Sequence, residues 1–224
     1  SGYQTTDTLR PGFGYWVRMS QNGSLLLYSG SCPGTPTVTY AGKTYNTVQI
    51  GNQCWLKENL DVGTMIDSLL NQTNNAVIQK YCYRNSPANC TTYGGLYQWN
   101  EAMQYSAVPG VQGICPAGWH IPTSAEFDTL AATVSSDANA LKANGQRPGA
   151  GAGTNTSGFS ALLAGYRFFL SGGFNSLGSS TILLSSSGYE YARSLQSWNS
   201  FFVPIGSPPP GEDHNGASVR CIKN

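Results

Sequence analysis

The chain has 224 residues, and its 12 Lys and Arg nearly balance 11 Asp and Glu, which leaves a formal net charge of +1. That balance, with a charged fraction of only 10%, argues against nucleic acid or anionic lipid as a partner. Apolar residues make up 40% of the chain, which argues against disorder. No apolar stretch is long enough for a membrane span or a signal peptide, so we expect a mature, exported product.

Residues 13–30 alternate apolar and polar side chains around Asn22 and Gly23, a pair that favours a tight turn. We predict a β-hairpin here, and the chain then divides into an N-terminal hairpin segment with its linker (1–36) and a larger domain (37–224). Exposed leucines would be unfavourable, so the hairpin must dock on its own domain or on a neighbouring copy. The side chains expected at that contact are Tyr15, Trp16, Val17, Leu25, Leu26 and Leu27.

The first half of the larger domain shows one hairpin and one helix pattern. Alternating apolar residues over 38–50, interrupted by Ala41 and Gly42, predict a second hairpin. Farther along, apolar residues at helical spacing predict a short amphipathic helix over 93–105. The polar segment between them has no assignable period.

The second half combines one strong helix start with short strands. Thr123 and Glu126 have capping-box spacing, which predicts a helix that continues to Val134. The Gly-rich segment 144–157 lacks the Lys-Ser/Thr ending of a phosphate-binding loop, so we predict a flexible surface loop. Later strands are expected at 162–169, 181–184, 198–203 and 217–222.

Six cysteines and two histidines favour disulfides over a metal site, because metal-binding cysteines usually occur at short spacing. Disulfides in turn predict an extracellular or cell-surface location. Six cysteines allow 15 pairings, and spacing alone does not choose among them. Their positions along the chain favour Cys32–Cys54, Cys82–Cys90 and Cys115–Cys221.

Five blocks of sequence occur in order along most of the chain: GKTYNTVQIGNQCWLKENL (42–60), YCYRNSPANCTTYGGLYQWNEAM (81–103), GICPAGWHIPTSAEFDTL (113–130), TSGFSALLAGYR (156–167) and ASVRCIKN (217–224). Taken together, these blocks resemble the Fibrobacter succinogenes major paralogous domain family. The resemblance implies an exported or surface-attached bacterial protein. Most members of this family have no assigned biochemical role.

The family is similar in turn to the C-type-lectin-like fold, which also houses formylglycine-generating enzymes. The resemblance implies an α+β domain in which two helices, 93–105 and 124–135, pack on a small curved antiparallel sheet with linking disulfides. It also implies that 218–221 is the closing strand, bridged back to Cys115. One departure is visible: the family usually has an aromatic residue before a Ser-Ser-Thr-Glu-like run, and this chain has Leu183, Leu184 and three serines.

Residues for metal or catalytic chemistry are sparse. A lectin-type calcium site needs a Glu-Pro-Asn or Gln-Pro-Asp tripeptide, and neither occurs; the weak calcium candidate is Glu212, Asp213 and Asn215. Ser124, His120 and Asp128 could be imagined as a triad, but no nucleophile-elbow motif supports one. We therefore expect no enzyme, no metal and no cofactor.

Three functions are considered. The leading hypothesis is a non-catalytic structural or adhesive surface module that assembles with itself through the N-terminal hairpin, in a head-to-tail arrangement that would form a filament. The alternative is a binding module for a surface glycan or protein, using the loop-rich face between 136 and 215. Its ligand-stacking candidates are Tyr189, Tyr191 and Trp198, although core packing would explain the same aromatic residues. A formylglycine-generating-type oxidase comes third.

Overall fold

The protein is represented by a computed structural model, which describes residues 30–146, 151–206 and 214–224. The predicted N-terminal hairpin therefore lies outside the described residues. Within them the strands are β1 (Thr37–Tyr40), β2 (Lys43–Ile50), β3 (Gln53–Leu56), β4 (Thr64–Met65), β5 (Gln79–Lys80), β6 (Trp119–His120), β7 (Ala164–Arg167), β8 (Phe174–Leu177), β9 (Ser180–Leu183), β10 (Arg193–Gln196), β11 (Val203–Pro204) and β12 (Ile222–Lys223).

The α-helices of the described residues are α1 (Pro87–Tyr93), α2 (Trp99–Ala102) and α3 (Ser124–Thr133), and short 3-10 helices occur at Tyr83–Asn85, Ala138–Ala140 and Tyr189–Tyr191. None of these helices has the length and apolar character needed to cross a bilayer. The α+β class is confirmed, but there are three α-helices where two were expected.

The first sheet has the strand order β1-β2-β3-β12-β6, with antiparallel neighbours throughout. Its predicted hairpin is confirmed: Tyr40 pairs with Lys43 across the turn. Ala41 and Gly42 both have positive φ angles, 49° and 80°, as a two-residue turn compatible with strand twist requires.

The second sheet has the order β11-β10-β9-β7-β8 and is mixed, because β7 runs parallel to β9 while its other pairs are antiparallel. The strands predicted at 162–169 and 181–184 contain or overlap β7 and β9. The strand predicted at 198–203 is wrong except at its last residue. Asn199 Oδ1 accepts the Phe201 amide at 3.0 Å, which turns the chain before β11.

The last segment of the chain joins the two sheets. Ala217 is bridged to Tyr97 and Ser218 to Leu183 of the second sheet, whereas Ile222 pairs with both β3 and β6 of the first. The continuous strand predicted at 217–222 is therefore wrong, because its residues pair in turn with different partners. This crossing is buried from Asn215 to Ile222.

The helix predicted over 93–105 is wrong in its first half. Gly94 has a φ of 86°, and a Cβ there would lie 2.6 Å from the Asn59 Cβ, so the chain turns instead of continuing as a helix. Leu96 then pairs with Tyr81, and only α2 remains helical. Helix α1, which begins with proline in its first turn, was not predicted.

Helix α3 begins where its capping box predicted. The Glu126 amide donates to Thr123 Oγ1 at 3.3 Å, and the Thr123 amide donates to Glu126 Oε2 at 2.8 Å. The helix places Phe127 against Trp55 of β3, with ring centroids 5.8 Å apart. Phe159 meets the same indole edge-on at 5.5 Å, so this aromatic group closes the core between the first sheet and α3.

The three disulfides are Cys32–Cys54, Cys82–Cys90 and Cys115–Cys221, with Cα–Cα distances of 5.7, 5.0 and 5.9 Å. These are the pairs that sequence position favoured. The last of them ties the segment before β6 to the buried crossing segment. Its two cysteines are separated by 106 positions in sequence, so it closes by far the longest loop of the three.

Candidate functional site

One face of the second sheet forms an open groove of about 290 Å³. Successive side chains of a strand point to opposite faces of the sheet, and the floor of the groove consists of side chains on one face. There Ser194 of β10 lies opposite Ile182 of β9, and Gln196 lies opposite Ser180. Residues of the other face, such as Thr181 and Leu195, are buried in the core. The side chains that border the groove are Tyr166, Phe168, Ser176, Ser180, Ile182, Tyr189, Ser194, Gln196, Trp198, Ile205 and Asn215.

Among the residues that the structure describes, no formally charged side chain lines the groove. Hydroxyl and carboxamide groups stand beside aromatic rings instead. Asn199 Nδ2 donates to Gln196 Oε1 at 2.6 Å, which leaves the Gln196 amide nitrogen as the donor end. Asn215 Oδ1 accepts the Phe169 amide at 2.9 Å and is fixed in the same way. Such a surface can donate and accept hydrogen bonds without selecting for charge.

The three ligand-stacking candidates occupy different positions. Trp198 borders the groove and is 57% exposed, so its indole face is accessible to a ligand. Tyr189 also borders the groove, but it is only 3% exposed and belongs to the core. Tyr191 is 43% exposed and does not border the groove. Of the three, Trp198 alone combines position and exposure.

The loop that carries Trp198 is held by a buried lysine. Lys142 Nζ donates to the carbonyl oxygens of Gln196 at 2.7 Å and Asn199 at 2.8 Å, one on each side of Trp198. It also donates to the Gly151 carbonyl at 2.5 Å. The Lys142 side chain is fully buried, and this burial lowers its pKa. The groove wall is therefore fixed from behind.

The described part of segment 144–157 is a loop, as predicted, but it is not exposed throughout. Gly151 is buried, and a Cβ there would lie 2.2 Å from the Ser197 carbonyl carbon. A Cβ added at Gly153 would likewise lie only 2.1 Å from the Ala143 carbonyl oxygen. Because these glycines have no side chain, the backbone of this segment packs directly on the backbone behind the groove wall. Close packing, and not flexibility, therefore explains glycine at these two positions.

Sequence reasoning missed both the floor of the groove and Lys142. The floor comes from four strands that are brought side by side only by the sheet order. Lys142 had one usable signal: it follows Ala140 and Leu141 in a stretch of small and apolar residues. A lysine among buried neighbours needs partners, although the sequence does not say which ones.

The strands that form the groove lie within a part of the chain that matches a known protein family. The sequence model of the Fibrobacter succinogenes major domain matches residues 48–223. The chain belongs to this family. Comparison with curated proteins and with solved structures found no match. The relation to the C-type-lectin-like fold therefore stays a prediction.

In this Fibrobacter succinogenes major domain, the run of three serines at 185–187 joins three elements. Trp99 Nε1 donates to the Ser185 carbonyl at 2.8 Å, and the Gly110 amide donates to Ser186 Oγ at 2.9 Å. Ser187 Oγ accepts the Ser124 amide at the start of α3 at 3.0 Å. The run thus has a structural role at the junction of α2, α3 and the loop between them.

The residues considered for a triad have other partners in the domain. His120 Nε2 lies 2.8 Å from Glu126 Oε1, and Nδ1 lies 2.7 Å from Asn224 Oδ1. The Glu126 hydrogen bond raises the pKa of His120 despite burial. Burial opposes ionisation of Glu126, but hydrogen bonds from His120 and Thr123 outweigh it and lower that pKa. Asp128 instead pairs with Arg193, which also donates to Ser124 Oγ.

The remaining candidate is the weak calcium site suggested for Glu212, Asp213 and Asn215. Glu212 and Asp213 lie outside the described residues, and Asn215 is committed to the Phe169 amide. Among the residues that the structure describes, no three His, Cys, Asp or Glu side chains are grouped so as to hold a metal ion. All six cysteines are in disulfides.

Proposed function

We propose that this domain is a non-catalytic adhesive module of an exported bacterial protein and that it binds a neutral glycan in the groove of the second sheet. The observation that carries the proposal is an uncharged groove of about 290 Å³ bordered by an exposed tryptophan. Three disulfides support the extracellular location, because disulfides persist in oxidising compartments.

The chemistry of the groove matches that of a sugar. Apolar C–H faces of a pyranose ring pack on an indole such as Trp198, while ring hydroxyls need partners that both donate and accept. On the floor, the Ser194 hydroxyl can both donate and accept, and the Gln196 amide nitrogen can donate. Because the lining has no formal charge, a neutral ligand enters without leaving an unpaired ion.

Replacing Trp198 by alanine is expected to weaken glycan binding by roughly ten-fold or more, because aromatic contacts of this kind contribute about 1–2 kcal/mol. The full chain would be screened on a glycan array, and the strongest neutral hit would be measured by calorimetry. The matched control is Tyr191→Ala, which removes an exposed aromatic ring outside the groove and should leave binding unchanged. An array without a neutral hit, or equal losses in the two variants, would contradict the proposal.

A second candidate function is self-assembly through the N-terminal hairpin. Strand β11 (Val203–Pro204) ends the second sheet, and Val203 and the neighbouring Phe201 are both more than half exposed. An apolar sheet edge can pair with an added strand, and head-to-tail addition of this kind propagates into a filament. The apolar pattern around Leu25 and Leu27 would supply such a strand.

Changing Leu25 and Leu27 together to serine in the full chain is expected to abolish assembly, because the added strand would lose its apolar face. Negative-stain electron microscopy and light scattering would measure particle size. Leu170→Ser is the control, since Leu170 is an exposed leucine of the domain itself. Filaments that persist in the double variant, or a wild-type chain that stays monomeric, would overturn this candidate.

A further inference from the structure

A second cavity, of about 350 Å³, lies between the first sheet and the end of α1 and shares no lining residue with the groove. Three of its lining side chains are cationic (Lys43, Lys57 and Arg220), and Glu58 is the acidic one. The lining thus has an excess of two positive charges, although the whole chain has a formal net charge of only +1.

The positive charge of Arg220 is not matched by a carboxylate. The side chain is 1% exposed, and its hydrogen bonds go to Asn59 Oδ1, the Leu56 carbonyl and the Phe159 carbonyl. Its guanidinium also lies over the Phe159 ring, 4.5 Å from the centroid. All these hydrogen-bond partners are neutral, and burial lowers the pKa of Arg220 to about 9, although the negative charge of Glu58 opposes that shift. A guanidinium has five N–H donors, and these bonds use four, which leaves one on Nη2.

The acids near the cavity are already engaged. Both oxygens of Glu58 accept hydrogen bonds from Asn46, each at 2.8 Å. Asp61 lies 2.5 Å from Lys80 Nζ but 3.8 Å from Lys43 Nζ, so it pairs mainly with Lys80. Among the described residues, Lys57 Nζ has neither a hydrogen bond nor an ion pair. Two cations with weak or no pairing therefore accompany buried Arg220 at this cavity.

We infer that this cavity binds a carboxylate carried by a small polar molecule of monosaccharide size, such as a uronic acid. The carboxylate would pair with Lys57 and approach Arg220, and so reduce the net positive charge that remains in the lining after Glu58 is counted. The lining also includes Tyr93, whose phenol hydroxyl suits the hydroxyls of such a molecule. A neutral sugar would leave these cations without a counter-charge and should not bind.

The test is titration of the full chain with D-glucuronate, followed by NMR amide shifts, with D-glucose as the neutral probe. We expect glucuronate to shift amides that line the cavity and glucose to leave them unchanged. Lys57→Gln should weaken glucuronate binding by about ten-fold. Lys223→Gln removes the same charge at an exposed residue outside the cavity and should have no effect. Trp198→Ala should also have none, which separates this site from the groove.

Three results would overturn the inference: no shift with glucuronate at concentrations of about 10 mM, equal shifts with glucose, or unchanged affinity in Lys57→Gln. Sodium acetate, which has the carboxylate but no sugar ring, separates the contribution of the carboxylate from that of the ring. Weaker binding of acetate than of glucuronate at the same amides supports a site for the whole acidic sugar. Equal binding of acetate would show that the site recognises a bare carboxylate, which overturns the sugar-sized ligand.

Discussion

Replacing Cys115 and Cys221 together by alanine is expected to lower the free energy of unfolding by about 4.7 kcal/mol, because this disulfide closes a very long loop in the unfolded chain. The two cysteines are 106 positions apart, and both are fully buried. Their bond joins the segment before β6 to the crossing segment that links the two sheets. Urea unfolding of the full chain, followed by circular dichroism, measures the change.

The matched control for this prediction is the double alanine variant of Cys82 and Cys90. Those cysteines are also buried, but they are only eight positions apart. The same relation between loop length and chain entropy therefore predicts a smaller loss in the free energy of unfolding, about 2.5 kcal/mol. The difference between the two variants isolates the effect of loop length from the loss of the sulfur atoms. Equal losses of stability would contradict the prediction and would indicate that local packing dominates at both disulfides.

Lys142→Met is expected to destabilise the domain by about 3 kcal/mol, since it leaves one buried and two partly buried carbonyl oxygens without their donor, at roughly 1 kcal/mol each. Methionine has nearly the length of lysine, so the cavity it leaves is small. The carbonyls concerned belong to Gly151, Gln196 and Asn199, which means that the loop around Trp198 should loosen first. Urea unfolding gives the stability change, and hydrogen exchange of amides 196–201 locates it.

Lys223→Met is the control for Lys142→Met, because Lys223 is exposed and donates one hydrogen bond, to Thr35 Oγ1. It should change the free energy of unfolding by less than about 0.5 kcal/mol. If Lys142→Met were as stable as this control and kept its protection at 196–201, the lysine would not be what holds the wall of the groove.

Local patterns in the sequence were sufficient wherever the deciding interaction is between near neighbours. The hairpin turn at Ala41 and Gly42 depends on two positive φ angles, and the start of α3 depends on two hydrogen bonds between Thr123 and Glu126. Both features were predicted. The helix expected over 93–105 failed for a tertiary reason: Gly94 lies against Asn59, a residue 35 positions away.

The candidate sites also combine features that the sequence indicates with features that only tertiary contacts decide. Trp198 could be singled out as one of several aromatic residues late in the chain, but its exposure and the burial of Tyr189 were decided by packing. The groove floor and the charged cavity both assemble residues from distant segments, and no sequence pattern brings Lys57 to Arg220. The partners of Lys142 are 9 to 57 positions away.

The sequence by itself determined the family, the disulfide chemistry, the first hairpin and the capped helix, because these depend on residue identity and short-range geometry. Tertiary structure alone decided the sheet order, the irregular path of 217–222 and both candidate sites. The physical reason is that a buried polar group such as Arg220 or Lys142 must find partners wherever the chain brings them. Those partners are chosen by the packing of the two sheets, which has no local signature.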